Sequence, residues 1–112
     1  MRRLRSKQTS QKVINLYCNF IQTKDHAVLL CCDKELAGKT ITEDGLEVEL
    51  KKEVYAKQQV NEKEFAKLLQ KASSINLFGE KCVKTAIEEG FASEKSVKTI
   101  DGVKHLQIYK LW

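Results

Sequence analysis

Alternating apolar and polar positions predict a β-hairpin near the start of the chain. Every second residue of Val13–Ile21 is apolar, which indicates a strand with one buried face. After a short polar turn, His26–Cys32 continues as a second strand, and we pair Ile21 with His26. This register places Cys32 on the outer face. The core face then holds Leu16, Cys18, Phe20, Ala27, Leu29 and Cys31.

Two amphipathic helices are predicted in the second half of the chain. Asn61, followed three residues later by Glu64, is typical of a capped helix start, and apolar residues then recur at helical spacing. A second helix is expected from about Gly79 to Glu89, with Gly90 as its left-handed C-cap. The turn dipeptide Asp101-Gly102 lies between two apolar segments and predicts a final hairpin.

The middle of the chain and the absence of breaks complete the predicted fold. Asp33–Gly38 predicts a helical turn that ends at glycine, and Glu43-Asp44-Gly45 predicts the turn of a small hairpin. The chain contains no proline, repeat or low-complexity linker. We therefore predict a single small α+β domain over residues 13–112, made mostly of antiparallel β-hairpins packed with two main helices.

The positive charge is concentrated in an N-terminal arm. The formal net charge of +5 comes entirely from residues 1–12, because residues 13–112 contain 15 basic and 15 acidic side chains. The basic residues of the arm are Arg2, Arg3, Arg5, Lys7 and Lys12. Such a segment is typical either of a flexible arm that contacts phosphates or of a frayed terminus without a partner.

The rest of the composition predicts a cytoplasmic protein. Its 112 residues, 42% of them apolar, are enough for one core, and no apolar run approaches the 18 or so residues of a membrane span. The first residues lack the apolar stretch of a signal peptide. We therefore expect no membrane association, and we expect reduced thiols without a disulfide.

The stretch CCDKELAGKT contains an apparent phosphate-loop motif. A phosphate loop requires a glycine five residues before its Gly-Lys pair and a helix after it. Asp33 occupies that glycine position, and the residues after Thr40 alternate like a strand. The pattern does not indicate a nucleotide-binding loop.

The cysteines do not predict a metal site. Cys18, Cys31, Cys32 and Cys82 lack the Cys-x2-Cys spacing of structural zinc sites, and the two adjacent cysteines point to opposite faces of a strand. We predict buried free thiols, no metal and no cofactor. Because Cys32 is assigned to the outer face, we expect it to be alkylated before Cys31.

In the last strand His105 and Gln107 share a face. A histidine beside an amide can bind a ligand or transfer protons, and such a pair can equally serve only local hydrogen bonds. Both interpretations stay open.

Three segments resemble an archaeal family filed only as domain of unknown function 424. They are CDKELAGKT at 32–40, INLFGEKCVKTAIEEG at 75–90 and IDGVKHLQIYK at 100–110, and the resemblance spans most of residues 12–110. It implies an archaeal, cytoplasmic protein of compact α+β fold, and it implies no activity because the family has none assigned. The polar or reactive matching residues are candidate ligand-binding residues: Cys32, Asp33, Lys39, Asn76, Glu80, His105 and Gln107.

The leading hypothesis is a non-enzymatic binding module for RNA or a ribonucleoprotein, associated with translation. It rests on the basic arm together with two tyrosines that can stack on bases. The RNA-binding candidates are Arg2, Arg3, Arg5, Lys7, Lys12, Tyr17 and Tyr109. One alternative is a small-molecule enzyme or binder that uses His105 with Cys32, Asp33 or Glu80, and another is a protein-interaction domain or homodimer.

Overall fold

The first predicted hairpin forms two of the central strands of the structure. In the computed structural model, which describes residues 15–110, the hairpin consists of β1 (Leu16–Gln22) and β2 (Ala27–Asp33). The basic arm predicted for residues 1–12 lies outside the described residues.

The remaining elements combine one large sheet with a separate small hairpin. In chain order they are a 3-10 turn (Lys34–Leu36), β3 (Thr40–Glu43), β4 (Leu46–Glu49), α1 (Lys52–Tyr55), β5 (Gln58–Val60), α2 (Glu62–Lys71), β6 (Ser74–Phe78), α3 (Glu80–Glu88), a second 3-10 turn (Glu94–Ser96), β7 (Lys98–Ile100) and β8 (Val103–Tyr109). The six-stranded sheet has the order β5-β1-β2-β6-β8-β7, in which only β2 and β6 pair in parallel. The predicted α+β class, with mostly antiparallel hairpins and two main helices, is confirmed.

The two longer helices, α2 and α3, pack on one face of the sheet. The capping box predicted at the start of α2 is present, because Asn61 and Glu64 each accept a hydrogen bond from the other's backbone N–H. Side chains buried between helices and sheet include Leu16, Cys18, Leu29, Phe65, Leu69, Leu77, Val83 and Leu106. Among the helices of residues 15–110, none is long and apolar enough to cross a membrane.

The opposite face of the sheet is only half covered. The β3–β4 hairpin and α1 pack over one end of it, where Cys32 and Phe78 join Ile41, Leu50 and Tyr55 in a second buried cluster. The other end of this face has no helix or hairpin over it in the described part of the chain. We call this uncovered region the open half of the sheet.

The register of the first hairpin differs by two residues from our prediction. Gln22 pairs with Ala27, and the Thr23 N–H donates to the His26 carbonyl to close the turn. Because a shift of two keeps every side chain on its face, the predicted core face is confirmed, with Phe20 only partly buried. The shift also places Cys18 directly opposite Cys31.

The cysteine predictions are wrong in two respects. Cys18 and Cys31, whose Cα atoms lie 4.2 Å apart, are joined by a disulfide, because the true register aligns them across the strand pair. Cys32 is fully buried, as is Cys31, because the β3–β4 hairpin and α1 cover its side of the sheet. Burial raises the pKa of the Cys32 thiol to about 12, so preferential alkylation of Cys32 is not expected.

β6, the strand that joins the two halves of the sheet, was not predicted from the sequence. Four of its five residues, all except Asn76, are buried, so it shows no alternation of apolar and polar residues. A short strand covered on both faces is typical of parallel pairing, and β6 is the strand that pairs in parallel with β2. Its position determines which predicted site residues become neighbours.

Candidate functional site

Four polar residues lie side by side on the open half of the sheet. Asn76 on β6 is directly opposite Gln107 on β8, and His105 and Tyr109 occupy the positions on either side of Gln107 on the same face. Residues two apart in a strand are separated by about 6.6–6.8 Å. We call Asn76, His105, Gln107 and Tyr109 the polar row.

His105 is held tightly within the polar row. Its ring stacks on Phe78, with centroids 4.1 Å apart and planes 8° from parallel, and its Nε2 lies 2.6 Å from Oδ1 of Asn76. Lys98 on β7 is its cross-strand neighbour. Partial burial, and then the charge of Lys98, lower the pKa of His105, which favours the neutral ring.

The outer end of the polar row is accessible to a ligand. Gln107 is exposed, Tyr109 is 66% exposed, and Nε2 of Gln107 donates a long hydrogen bond of 3.5 Å to the Tyr109 hydroxyl. A cleft of about 190 Å³ lies here, lined by Ser96, Lys98, His105, Gln107 and Tyr109. The row therefore offers an aromatic ring, an amide and an imidazole to one ligand.

Three residues near the polar row were not among the predicted site residues. Lys98 lies opposite His105, and Ser74 lies opposite Tyr109, where its hydroxyl is 3.3 Å from Nε2 of His26. No sequence signal pointed to Ser74, because β6 was not predicted to be a strand. Lys98 could have been found from the final hairpin, whose turn sets it across from His105.

Asp33 has a structural role at the start of α3. Its carboxylate accepts hydrogen bonds from the backbone N–H groups of Lys81 (2.9 Å) and Cys82 (3.0 Å), so it caps a helix from a neighbouring strand. Asp33 is only 2% exposed. Burial raises the pKa of this carboxyl, and the two backbone hydrogen bonds oppose that rise.

Gly79 is required beside this carboxylate. Its φ of +118° lies in a region that side chains rarely adopt, and a Cβ at this position would lie 2.7 Å from both Asp33 carboxylate oxygens. We call Asp33, Gly79 and Glu80 the capping cluster. Glu80 is the exposed first residue of α3, on the rim of a second cleft of about 200 Å³ that does not include His105.

The structure does not bring His105 together with Cys32. Phe78 lies between them in the sheet and is the cross-strand partner of both residues. The backbones of His105 and Cys32 are therefore two strand spacings apart, or about 10 Å. Cys32 is enclosed in the second buried cluster. The arrangement therefore does not assemble a nucleophile beside the histidine.

Two further candidate residues lie away from the polar row. Lys39 is exposed at the base of the β3–β4 hairpin, where its backbone bonds to Leu36 and Leu50. Tyr17 is half-buried at the edge of the second cluster, with the Lys34 ammonium 5.7 Å from its ring centroid. Neither contributes to the surface formed by the polar row.

Other features of the described residues add no chemistry to this surface. Within residues 15–110, no group of three or more His, Cys, Asp or Glu side chains is placed to hold a metal ion. A larger cleft, of about 560 Å³, runs along α3 with Val83, Ile87 and Val97 among its lining residues. It lies on the helix side of the sheet and contains no member of the polar row.

Comparison with known proteins identifies the family and supports the fold. Residues 21–111 match the family model described as Protein of unknown function (DUF424). The chain resembles the crystal structure of an uncharacterized conserved protein from Methanopyrus kandleri, with a TM-score of 0.74 and 24% identity, covering 85% of this chain and 90% of the other. At that identity the likeness shows the fold alone. No curated protein matches the chain. The chain belongs to the DUF424 family.

Proposed function

We propose that this member of the DUF424 family is a non-enzymatic module that binds single-stranded RNA on the open half of its sheet. The observation that carries the proposal is the polar row, in which an exposed tyrosine lies beside an amide and a histidine on one uncovered sheet face. Sheet faces that display aromatic and hydrogen-bonding side chains suit unstacked bases, because a base can stack on a ring while its edge is read.

The individual members of the row have distinct roles in this proposal. Tyr109, at 66% exposure, is the stacking platform. Gln107 offers both a donor and an acceptor to a base edge. Asn76 is engaged with His105 and serves to position that ring.

The basic arm supplies the phosphate contacts that the row lacks. Residues 13–112 carry no net charge, so the five basic residues of 1–12 provide the whole net positive charge for long-range attraction to RNA. Tyr17 is less available for stacking, because it is half-buried and has Lys34 beside its ring. An RNA or ribonucleoprotein partner in translation would make the protein cytoplasmic, as predicted from its sequence.

Fluorescence anisotropy with labelled single-stranded RNA tests the proposal. Tyr109→Ala removes the stacking platform and is expected to weaken binding by about five-fold or more, whereas Tyr109→Phe keeps the ring and is expected to bind almost normally. The logarithm of the association constant falls linearly with the logarithm of the salt concentration. Removal of residues 1–12 is expected to make this slope shallower by up to about 3.5. Undetectable affinity at low salt would contradict the proposal. If affinity is unchanged without residues 1–12, the proposed role of the arm fails.

The cleft beside His105 supports a second candidate, a small-molecule binder. At about 190 Å³, with Lys98 and His105 on its wall, the cleft can hold a small anionic or polar ligand. In that case mononucleotides would displace RNA completely from the cleft, and removal of residues 1–12 would leave the affinity unchanged.

The open half of the sheet also supports a third candidate, a protein-interaction surface or homodimer. Ile21, on β1 at the end of this face that no helix covers, is 42% exposed. Light scattering over a range of concentrations tests this candidate, and a monomer at every concentration would exclude the homodimer.

A further inference from the structure

His105 is the member of the polar row whose hydrogen-bonding state is most fully fixed. Its Nε2 lies 2.6 Å from Oδ1 of Asn76, and because an amide oxygen only accepts hydrogen bonds, this orientation of the amide favours a proton on Nε2. In a neutral ring the other nitrogen, Nδ1, then holds a lone pair. Among residues 15–110 no hydrogen bond to Nδ1 is found, and the half-buried His105 lines the cleft of the polar row.

The surroundings of His105 favour that neutral form. Within the described residues, the charged group that faces the ring is Lys98 on β7, whereas Asn76 and Phe78 on β6 and Gln107 on β8 are uncharged. A positive neighbour and partial burial both disfavour an imidazolium, and they lower the pKa of His105. Stacking on Phe78 and the bond to Asn76 also prevent the ring from turning over to exchange its nitrogens.

We propose that neutral His105 selects RNA bases that carry an exocyclic amino group, by accepting a hydrogen bond from that group at Nδ1. This inference rests on the proposed RNA-binding function and adds a base preference to it. Cytosine and uracil have rings of the same size, but cytosine carries an amino donor where uracil carries a carbonyl acceptor. In the same placement of the base, the uracil carbonyl would set two acceptors against each other at Nδ1, and its N3–H could donate there only if the base moved. The site therefore favours cytosine when stacking on Tyr109 fixes the position of the base.

Anisotropy titrations with oligocytidylate and oligouridylate of equal length test the preference. At pH 7.5 the intact protein is expected to bind oligocytidylate about three- to ten-fold more tightly, which corresponds to one neutral hydrogen bond. His105→Phe keeps a ring that can stack on Phe78 but lacks the acceptor, so it is expected to bind both oligomers equally. Equal binding of the two by the intact protein, or an undiminished preference in His105→Phe, would overturn the inference.

A second variant changes the charge of the ring and leaves its position unchanged. Asn76→Asp places a carboxylate beside Nε2, which favours the imidazolium and converts Nδ1 from an acceptor into a donor. This variant is expected to lose its preference for oligocytidylate, and the measured quantity is the ratio of its affinities for the two oligomers. A preference for oligocytidylate that persists in Asn76→Asp, with His105 shown by NMR to be protonated, would count against a role for Nδ1.

Nitrogen-15 NMR of the free protein separates this inference from the proposed function. The chain has two histidines, so His26→Gln leaves His105 as the sole imidazole signal. The expected spectrum at pH 7.5 is that of a neutral ring protonated on Nε2. A ring protonated on Nδ1, or an imidazolium, overturns the inference whether or not RNA binds. RNA binding without a base preference overturns the inference alone, and no binding to any RNA overturns both proposals.

Discussion

The polar row and the capping cluster both contain candidate ligand-binding residues of the sequence analysis, but their side chains lie in opposite surroundings. Asp33 is 2% exposed, and its carboxylate is occupied by the amides that begin α3. Tyr109 is 66% exposed, and the neighbouring Gln107 side chain is bonded only weakly to it. The comparison teaches that a polar candidate residue can serve the fold or be available for binding, and that burial with satisfied hydrogen bonds distinguishes the two.

Gly79→Ala is expected to give the largest loss of stability in the capping cluster. The new Cβ would overlap the Asp33 carboxylate and force an alanine to a φ of +118°, so we expect a loss of about 3 kcal/mol or more in the free energy of unfolding. Gly45→Ala is the matched control, because Gly45 also has positive φ but no atom lies within 4 Å of the added Cβ. It should cost only about 1–2 kcal/mol. Urea unfolding measures both, and equal losses would contradict the close contact with Asp33.

Asp33→Ala is expected to give the next largest effect. It leaves the partly buried N–H of Lys81 and the buried N–H of Cys82 without this acceptor, which should lower the free energy of unfolding by about 2–3 kcal/mol. Asp33→Asn retains one acceptor oxygen and should lose less. Glu35→Ala, which removes an exposed carboxylate two residues away, serves as the control and should change stability by less than about 0.5 kcal/mol. A stable Asp33→Ala protein that no longer binds RNA would reverse the roles assigned to the two regions.

The polar row is expected to affect stability least, and its effect should depend on pH. Because the pKa of His105 is lowered in the folded state, the unfolded chain takes up its proton at a higher pH than the folded one. The contribution of His105 to the free energy of unfolding is therefore fully present above about pH 6.5, the usual histidine pKa. It is lost as the pH falls through the lower pKa that His105 has in the folded protein. Water screens the half-exposed ring, so the change should be small. Thermal unfolding between pH 5 and pH 8 measures it, and His105→Phe should abolish the part due to this ring.

Much of the fold follows from local patterns, and the errors have physical causes. The capping box at Asn61 and the turn at Asp101-Gly102 depend on neighbouring residues, and both occur where predicted. The hairpin register depends on how the chain closes the turn at Thr23 and His26, which a pattern of period two cannot determine to better than two residues. That ambiguity concealed the pairing of Cys18 with Cys31.

The grouping of the site residues was beyond what the sequence could provide. His105 and Gln107 were placed on one face correctly, because strand alternation decides it. Asn76 joins them only because it lies on β6. This strand is buried at four of its five positions and shows no alternation from which it could be predicted. The burial of Cys32 likewise depends on where the β3–β4 hairpin and α1 pack, which is a long-range feature.

The central claim is that the polar row binds RNA while the capping cluster stabilises the fold. An NMR titration of the labelled protein with oligocytidylate tests this claim most directly. We expect the largest shifts at the side-chain amide groups of Asn76 and Gln107 and at Tyr109, with the backbone amides of Lys81 and Cys82 unchanged because the Asp33 carboxylate already occupies them. Shifts concentrated at Lys81 and Cys82 without change at Gln107 and Tyr109, or no shifts at all under low salt, would contradict the account.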